Sequence, residues 1–316
     1  EDRNLPAIVE KRLLAPKDEA SRQLVEQAFS ETDRLRPEVM TALLGKKGDR
    51  AAFRAVYPFS PALIDTLVAV SSLLQRERTA LKLLSQLLVS QRDRLALGDI
   101  VPVGDLYDVL AEGDEPFSQE MKAHFDEAKK LLGTKLLPIL EAGSGMTLAE
   151  ARSRPQGDPA ARKLRAEERL VKTLLLAALA PEVEALRDLS AVRLNALNHG
   201  SMTAPIPGHE VQAVARRCRD WAAQVGAIRV SDDSANPVVS VKLTGVEVDA
   251  ILEKAQAEDR PGNRRQKLRE LLFGSLGITS SPNEMFVRHE FFWRGTKRAV
   301  VVDFQNVREV SDDVLR

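Results

Sequence analysis

The sequence predicts a mainly α-helical chain with a small β component, and three observations carry that reading. Apolar residues recur at three-and-four spacing through most of the 316 residues, the periodicity of helices that bury one side. Between Glu168 and Leu243, three such segments precede two β-rich runs, AIRVS and VVSVKL, which the turn-forming DDSANP separates. Near the C-terminus, FVRHEFFWRGTKRAVVVDF changes to aromatic and β-branched residues around a GT turn position, the pattern of a further hairpin or sheet edge.

LPAIVEKRLL is short and amphipathic, and Pro16 closes it. Asp18 to Phe29 follows as a helix with Leu24, Val25 and Phe29 inward, and Pro37 opens the next, through Leu44, before the solvated loop GKKGDR. In YPFSPALIDTLVAVSSLL, Ser60 is placed to cap and Pro61 fits a first helical turn. Ala62, Leu63, Leu67, Val70, Leu73 and Leu74 then make a face wide enough for burial between neighbours. Gln75, Arg76, Glu77 and Arg78 break that run, and Thr79 starts a helix through Leu88. Arg76 and Arg78 carry two readings: guanidinium forks aimed at an anion, or a solvated turn paired with Glu77.

DIVPVGDLYDVLAEG is an extended stretch that turns at Gly104 into a short helix, and Ser118 to about Leu140 is a longer one. Its expected inward residues are Met121, Phe125, Leu131, Leu132, Leu136 and Leu137. EAGSGMTLAEARSRPQGDPAARK is the least patterned stretch and reads as a surface loop or domain joint.

The next segment contains the best amphipathic pattern of the chain. Leu170, Leu174, Ala177 and Ala178 form one helical face before Pro181. Ser190 is placed to cap a short second helix, and Gly200 to end it in the left-handed region. The third, from about His209 to Gln224, sets Val211, Val214, Ala215, Cys218, Trp221, Ala222 and Val225 on one side and Gln212, Arg216, Arg219 and Gln224 towards the other. Three helices and a hairpin are the winged-helix order, in which the third helix commonly enters a DNA major groove beside the hairpin. Arg216, Arg217, Arg219, Arg229 and Lys242 are the candidate phosphate contacts. The competing reading is a packing or protein-contact module, with Asp220, Asp232 and Asp233 diluting the positive field. Beyond it, VEVDAILEKAQAEDRPG reads as a helix, and Asn263 begins another with Leu268, Leu271, Leu272 and Leu276 inward. The expected organisation is a helical domain over 1–150, a linker over 151–166, a winged-helix domain over 167–244, and a helical pair plus hairpin over 245–316, the front of a further α/β element.

Acids and bases balance at 46 each, so attraction to nucleic acid must come from a local patch. The one cysteine, Cys218, excludes an internal disulfide and falls on an apolar helix face, where it reads as a core thiol. No apolar run approaches the roughly twenty residues of a membrane span, so a cytoplasmic location and no membrane partner are expected. A chain opening on Glu1 rather than methionine is expected to be a piece of something longer. It contains no G-x-x-x-x-G-K-[ST] phosphate loop, no H-E-x-x-H, no G-x-S-x-G and no G-x-G-x-x-G. His199 and His209 flank one loop without a third ligand, so neither catalytic nor metal-ligating residues are assigned.

YPFSPALIDTLVAVSSLLQRERTALKLLSQLL, VPVGDLYDVL, RLVKTLLLAALAPEVEALRDLSAVRLNALNHGSMTAPIPGHEV and FFWRGTKR together resemble the P-loop ATPases of bacterial BREX-type phage-defence loci, PglY and BrxC among them. The resemblance implies a region C-terminal to the nucleotide-binding core: an AAA-lid-like helical bundle, then the winged helix. It implies that Arg76 and Arg78 sense nucleotide, so alanine at both is expected to lower ATP turnover in the full-length protein. ATP and magnesium are then expected in the parent protein and no cofactor in this piece, which by itself would not hydrolyse ATP. Other defence subunits, duplex DNA and a homo-oligomer formed through the parent ATPase are the implied partners. A winged-helix transcriptional regulator without ATPase activity is the alternative.

Overall fold

The computed structural model describes residues 5–45, 48–72, 79–112, 119–204, 206, 208–243, 259–281, 284 and 286–306. Leu73, Leu74 and the helix expected from VEVDAILEKAQAED fall largely or wholly outside these residues. Among the described residues the fold is mainly helical with two small antiparallel sheets, and the chain divides into two units, Glu1–Gly245 and Val246–Arg316.

The first unit opens with α1 (Leu5–Arg12), α2 (Glu19–Thr32), α3 (Pro37–Leu44), α4 (Arg50–Val56), α5 (Pro61–Ser72) and α6 (Thr79–Gln91). Oxygen-bearing side chains set several of these starts by accepting an otherwise orphaned backbone N–H. Asp18 accepts from Ser21 N at 2.6 Å, Asp49 from Ala52 N at 2.7 Å, and Ser60 from Leu63 N at 3.2 Å. A 3-10 turn (Val103–Asp105) leads into α7 (Leu106–Glu112). After α8 (Gln119–Leu131), a π turn (Leu132–Leu136) carries the helix into α9 (Leu137–Ser144), and α10 (Leu148–Ser153) precedes α11 (Pro159–Leu179). Two shorter helices, α12 (Ala191–Leu197) and α13 (Glu210–Gln224), bring the chain to strands β1 (Ile228–Val230) and β2 (Val239–Val241). The strands pair antiparallel with Ile228 opposite Val241 and Val230 opposite Val239. A single bridge, Ser190 to Val238, lays the entry to α12 along the same ribbon.

One continuous core runs from Leu5 and Val9 through Leu63, Leu87, Tyr107 and Leu140 to Leu174, Trp221 and Val239. A second, smaller cluster holds Phe29, Leu43, Phe53 and Tyr57, with Phe29 meeting Phe53 edge-on at 5.5 Å. The expected linker over 151–166 lies inside this architecture rather than between two domains. Asp158 accepts from Ala161 N at 2.9 Å and Pro159 is the first helical residue, so the Gly, Asp and Pro that resemble loop punctuation start a 21-residue helix. Ala151, Ala161 and Leu164 are fully buried in the common core. In α2, Leu24 and Val25 are exposed, contrary to the expected inward face, because the helix buries only Ala28, Phe29 and Thr32 in its later turns.

In the second unit, α14 (Pro261–Ser275) precedes β3 (Phe286–Trp293) and β4 (Thr296–Asp303), an antiparallel hairpin in register from Phe286–Asp303 to Trp293–Thr296. Proline at N1 places the start of α14 two residues before the expected Asn263. Leu268, Leu271, Leu272 and Leu276, expected inward, are 46–60% exposed. Only Phe273 of α14 is buried, beneath the Arg269 guanidinium at 5.0 Å from the ring centre. No single described helix is long and apolar enough to cross a membrane.

Candidate functional site

The strongest candidate surface is built on α13. Its inner side is anchored by Val214, Ala215, Cys218 and Trp221, all buried. Burial pushes the Cys218 thiol up to about 12, which makes it an inert core group. At the helix start, Glu210 accepts from Gly208 N at 3.0 Å and pairs with Arg36 at 3.5 Å. The Gly208 amide, above all, holds the Glu210 carboxyl below its ordinary range.

The five expected phosphate contacts divide into two groups. Arg216 is exposed on the outer side of α13, and Arg229 and Lys242 are exposed on the hairpin. Arg229 stands opposite Ser240 in the ladder, and Lys242 lies two residues beyond Ser240, so both cations project from one side of the ribbon. Arg217 turns inward: its Nε lies 2.8 Å from Glu167 Oε1, with Asp220 at 3.6 Å. Arg219 donates from one guanidinium nitrogen to the Asp233 and Ser234 carbonyls, both at 2.8 Å, and so fixes the hairpin turn against the helix. The Asp233 carboxylate tightens the same turn by accepting from Ala235 N at 2.8 Å and Asn236 N at 3.1 Å, and these amides hold it below the usual carboxylate range. Arg217 and Arg219 therefore hold parts of the fold together, while Arg216, Arg229 and Lys242 are exposed on its surface. Arg76 and Arg78 lie outside the described residues.

Behind α13, an open groove of about 560 Å³ is lined by Pro138, Ile139 and Ala142 of α9, Glu167 of α11, and Arg217 and Trp221 of α13. The contact of Glu167 Oε1 with Arg217 is an ion pair without an aligned hydrogen bond. Burial raises the Glu167 carboxyl above its ordinary value, against the opposing pull of Arg217 and then Lys163.

The periodicity of the sequence gives no hint of a buried ionic seam between α11 and the stretch Val103–Glu112. The backbone of Gly104 runs so close to α11 that a β-carbon there would stand 2.3 Å from the Arg169 carbonyl oxygen. That approach sets Asp105 against Arg169 Nε at 2.8 Å and Gln91 Nε2 at 2.8 Å. Burial raises the Asp105 carboxyl, and Arg169 opposes the shift. One turn on, Lys172 Nζ meets Asp108 Oδ1 at 2.6 Å and also bonds Glu168, which in turn accepts from Arg152 at 2.9 Å. Asn198 closes the seam by donating to the Thr173 hydroxyl at 2.9 Å and the Leu194 carbonyl at 3.0 Å while accepting from Gly104 N at 3.3 Å. A seam in which each charge has an opposite partner suits rigid attachment better than proton transfer. The only trace of it in the sequence is that Asp105, Asp108, Glu168 and Lys172 interrupt apolar stretches.

Among the described residues, no group of three or more His, Cys, Asp or Glu is placed to hold a metal ion.

No solved structure matches this chain. Residues 6–234 match the family described as BREX System ATPase PglY protein 2nd domain, and residues 251–316 match PglY fourth domain. The first match crosses the stretch expected as a linker without a break, as the common core does. Since it spans more than half of the sequence, the chain belongs to the BREX PglY family of phage-defence proteins.

Proposed function

We propose that the first unit is a non-catalytic coupling region of a BREX-system ATPase, a winged-helix surface on a lid-like helical body that ties nucleotide state to duplex DNA. The observation that carries this reading is the sequence of three helices and an antiparallel hairpin, with α13 held by its buried side and Arg216, Arg229 and Lys242 outward. The Ser190–Val238 bridge adds support, because it braces the hairpin from the segment preceding α12. In the proposed mechanism α13 lies in the major groove, Arg229 and Lys242 meet phosphates beside it, and Arg219 keeps the hairpin at a fixed angle to the helix.

The seam of Asp105, Asp108, Glu168 and Lys172 supports the mechanical half of the proposal. It joins the N-terminal helices to α11 as one body, so that displacement of one end moves the other. Sensing by Arg76 and Arg78, with ATP and magnesium bound elsewhere in the parent protein, completes the proposed route. Contacts to other subunits of the defence system, or to further copies of the ATPase, would use the surfaces that DNA leaves free. A transcriptional regulator without an ATPase connection gains nothing from the family match.

The test is fluorescence anisotropy of a labelled duplex titrated with the 316-residue chain at several salt concentrations. Affinity should fall with log salt, and replacing Arg216, Arg229 and Lys242 together with alanine should flatten that slope by about 0.9 for each phosphate no longer neutralised. Failure of the unaltered chain to bind at low salt, or an unchanged slope in the triple variant, would overturn the proposal.

A further inference from the structure

The second unit carries a surface of different chemistry at the far end of its hairpin. Near the base of the ribbon Val287 is buried, whereas at the tip Phe292 is 76% and Trp293 58% exposed. Eight residues per strand give the ribbon a length of roughly 26 Å at about 3.3 Å per residue. Its two-residue turn is Arg294-Gly295, both at positive φ (49° and 74°). Such a turn is easiest for Asn-Gly or Gly-Gly, so an arginine at its first position is placed there against local preference.

Rings and cations alternate on both sides of this tip. Phe292 stands opposite Lys297, Phe291 opposite Arg298, and the Arg294 guanidinium lies 5.9 Å from the centre of the Trp293 ring. Between Arg288 and Arg298 the sequence holds the cations Arg288, Arg294, Lys297 and Arg298 against the single carboxylate Glu290. Lys297 bonds that carboxylate at 2.5 Å. A hairpin built to dock on a protein would gather its aromatics into one continuous apolar patch. One built to enter a lipid surface would put them on a single face. Here the period-2 alternation of the strands sends Phe291 and Trp293 to one face and Phe292 to the other, each beside a positive charge.

We propose that this tip binds unpaired nucleic acid, with Phe292 and Trp293 stacking on exposed bases and Arg294 and Arg298 meeting the phosphates. Stacking tolerates any base, since each presents a π face, so the site is selective for single strands rather than for a sequence. The site is distinct from the duplex surface on α13 and uses none of its residues.

The probe is a fluorescein-labelled oligothymidylate titrated with the 316-residue chain at low salt. The chain contains two tryptophans, of which Trp221 is buried and Trp293 exposed, so quenching of Trp293 reports binding and Trp221 emission reports an intact fold. The unaltered chain should bind with quenched emission. Phe292→Ala with Trp293→Ala should weaken binding at least about thirtyfold, given roughly 1–3 kcal/mol for each of the two stacked bases. Trp293→Phe should retain most of the affinity. The variant lacking Arg216, Arg229 and Lys242 should bind the oligothymidylate as before, which separates this proposal from the duplex reading. No binding at low salt, equal affinity in the double-alanine variant, or capture by phosphatidylserine vesicles without oligothymidylate binding would each overturn it.

Discussion

Helices α11 and α14 invert the usual relation between polarity and burial. In α11, Glu167, Glu168 and Lys172 are buried along with the leucines, while in α14 all three leucines are exposed and Phe273 alone is buried. The difference lies in what surrounds each helix. A charge can be buried when an opposite charge is fixed in place to meet it, as Asp108 is for Lys172. A leucine stripe states which side of a helix is able to pack, without supplying the surface to pack against. The exposed stripe of α14 is therefore a feature of the second unit that its own described residues do not cover.

Breaking the seam gives the largest test of that contrast. Lys172→Met removes the buried cation that bonds both Glu168 and Asp108, leaving them only the half-exposed Arg152, and should lower stability by up to about 3 kcal/mol, read as a shift in the urea midpoint. A loss below about 1 kcal/mol would mean that water screens the pair and that the seam holds nothing together.

A smaller effect is expected at the edge of the same core, where burial, and secondarily Arg36, lowers the His199 pKa below its ordinary 6.5. Above 6.5 the imidazole is neutral in both folded and unfolded chains, so its contribution is fully present. As the pH falls through 6.5 the unfolded chain takes up the proton first, and stability is lost progressively until the folded pKa is passed. His199→Gln should remove that part of the acid sensitivity in a thermal melt series, about 1.4 kcal/mol for each tenfold difference in proton affinity between the folded and unfolded chains. A pH profile identical to that of the unaltered chain would refute it.

The smallest effect is expected in α14, where Leu271→Ser should change stability by no more than about 0.5 kcal/mol, because the side chain is already in water. A large loss would show that the leucine stripe is covered in solution.

These contrasts also separate what local sequence reveals from what it hides. Ser60 and Ser190 announce helix starts through their own chemistry, and the structure places them there, whereas Gly200 has the expected positive φ but lies two residues beyond Asn198, which ends α12. AIRVS and VVSVKL pair as expected because Asp233 and its neighbours form the turn between them. Asp158 and Pro159 are ambiguous, since the residues that end a loop are also those that begin a helix. The pairing of Asp105 with Arg169, 64 residues apart, is invisible to any local pattern. For the same reason, the inward use of Arg217 and the turn-holding use of Arg219 are hidden among five similar cations. Periodicity identifies an apolar side on α2 and α14 but does not tell whether a partner covers Leu24 or Leu268.

The proposed duplex-binding face of α13 and its hairpin is tested most directly by amide hydrogen exchange with and without a duplex. Protection should appear over Glu210–Gln224 and across Ile228–Val241, while the amides of α11 exchange at unchanged rates. Unchanged exchange throughout α13 and the hairpin, with the duplex demonstrably bound, would contradict the proposed duplex face.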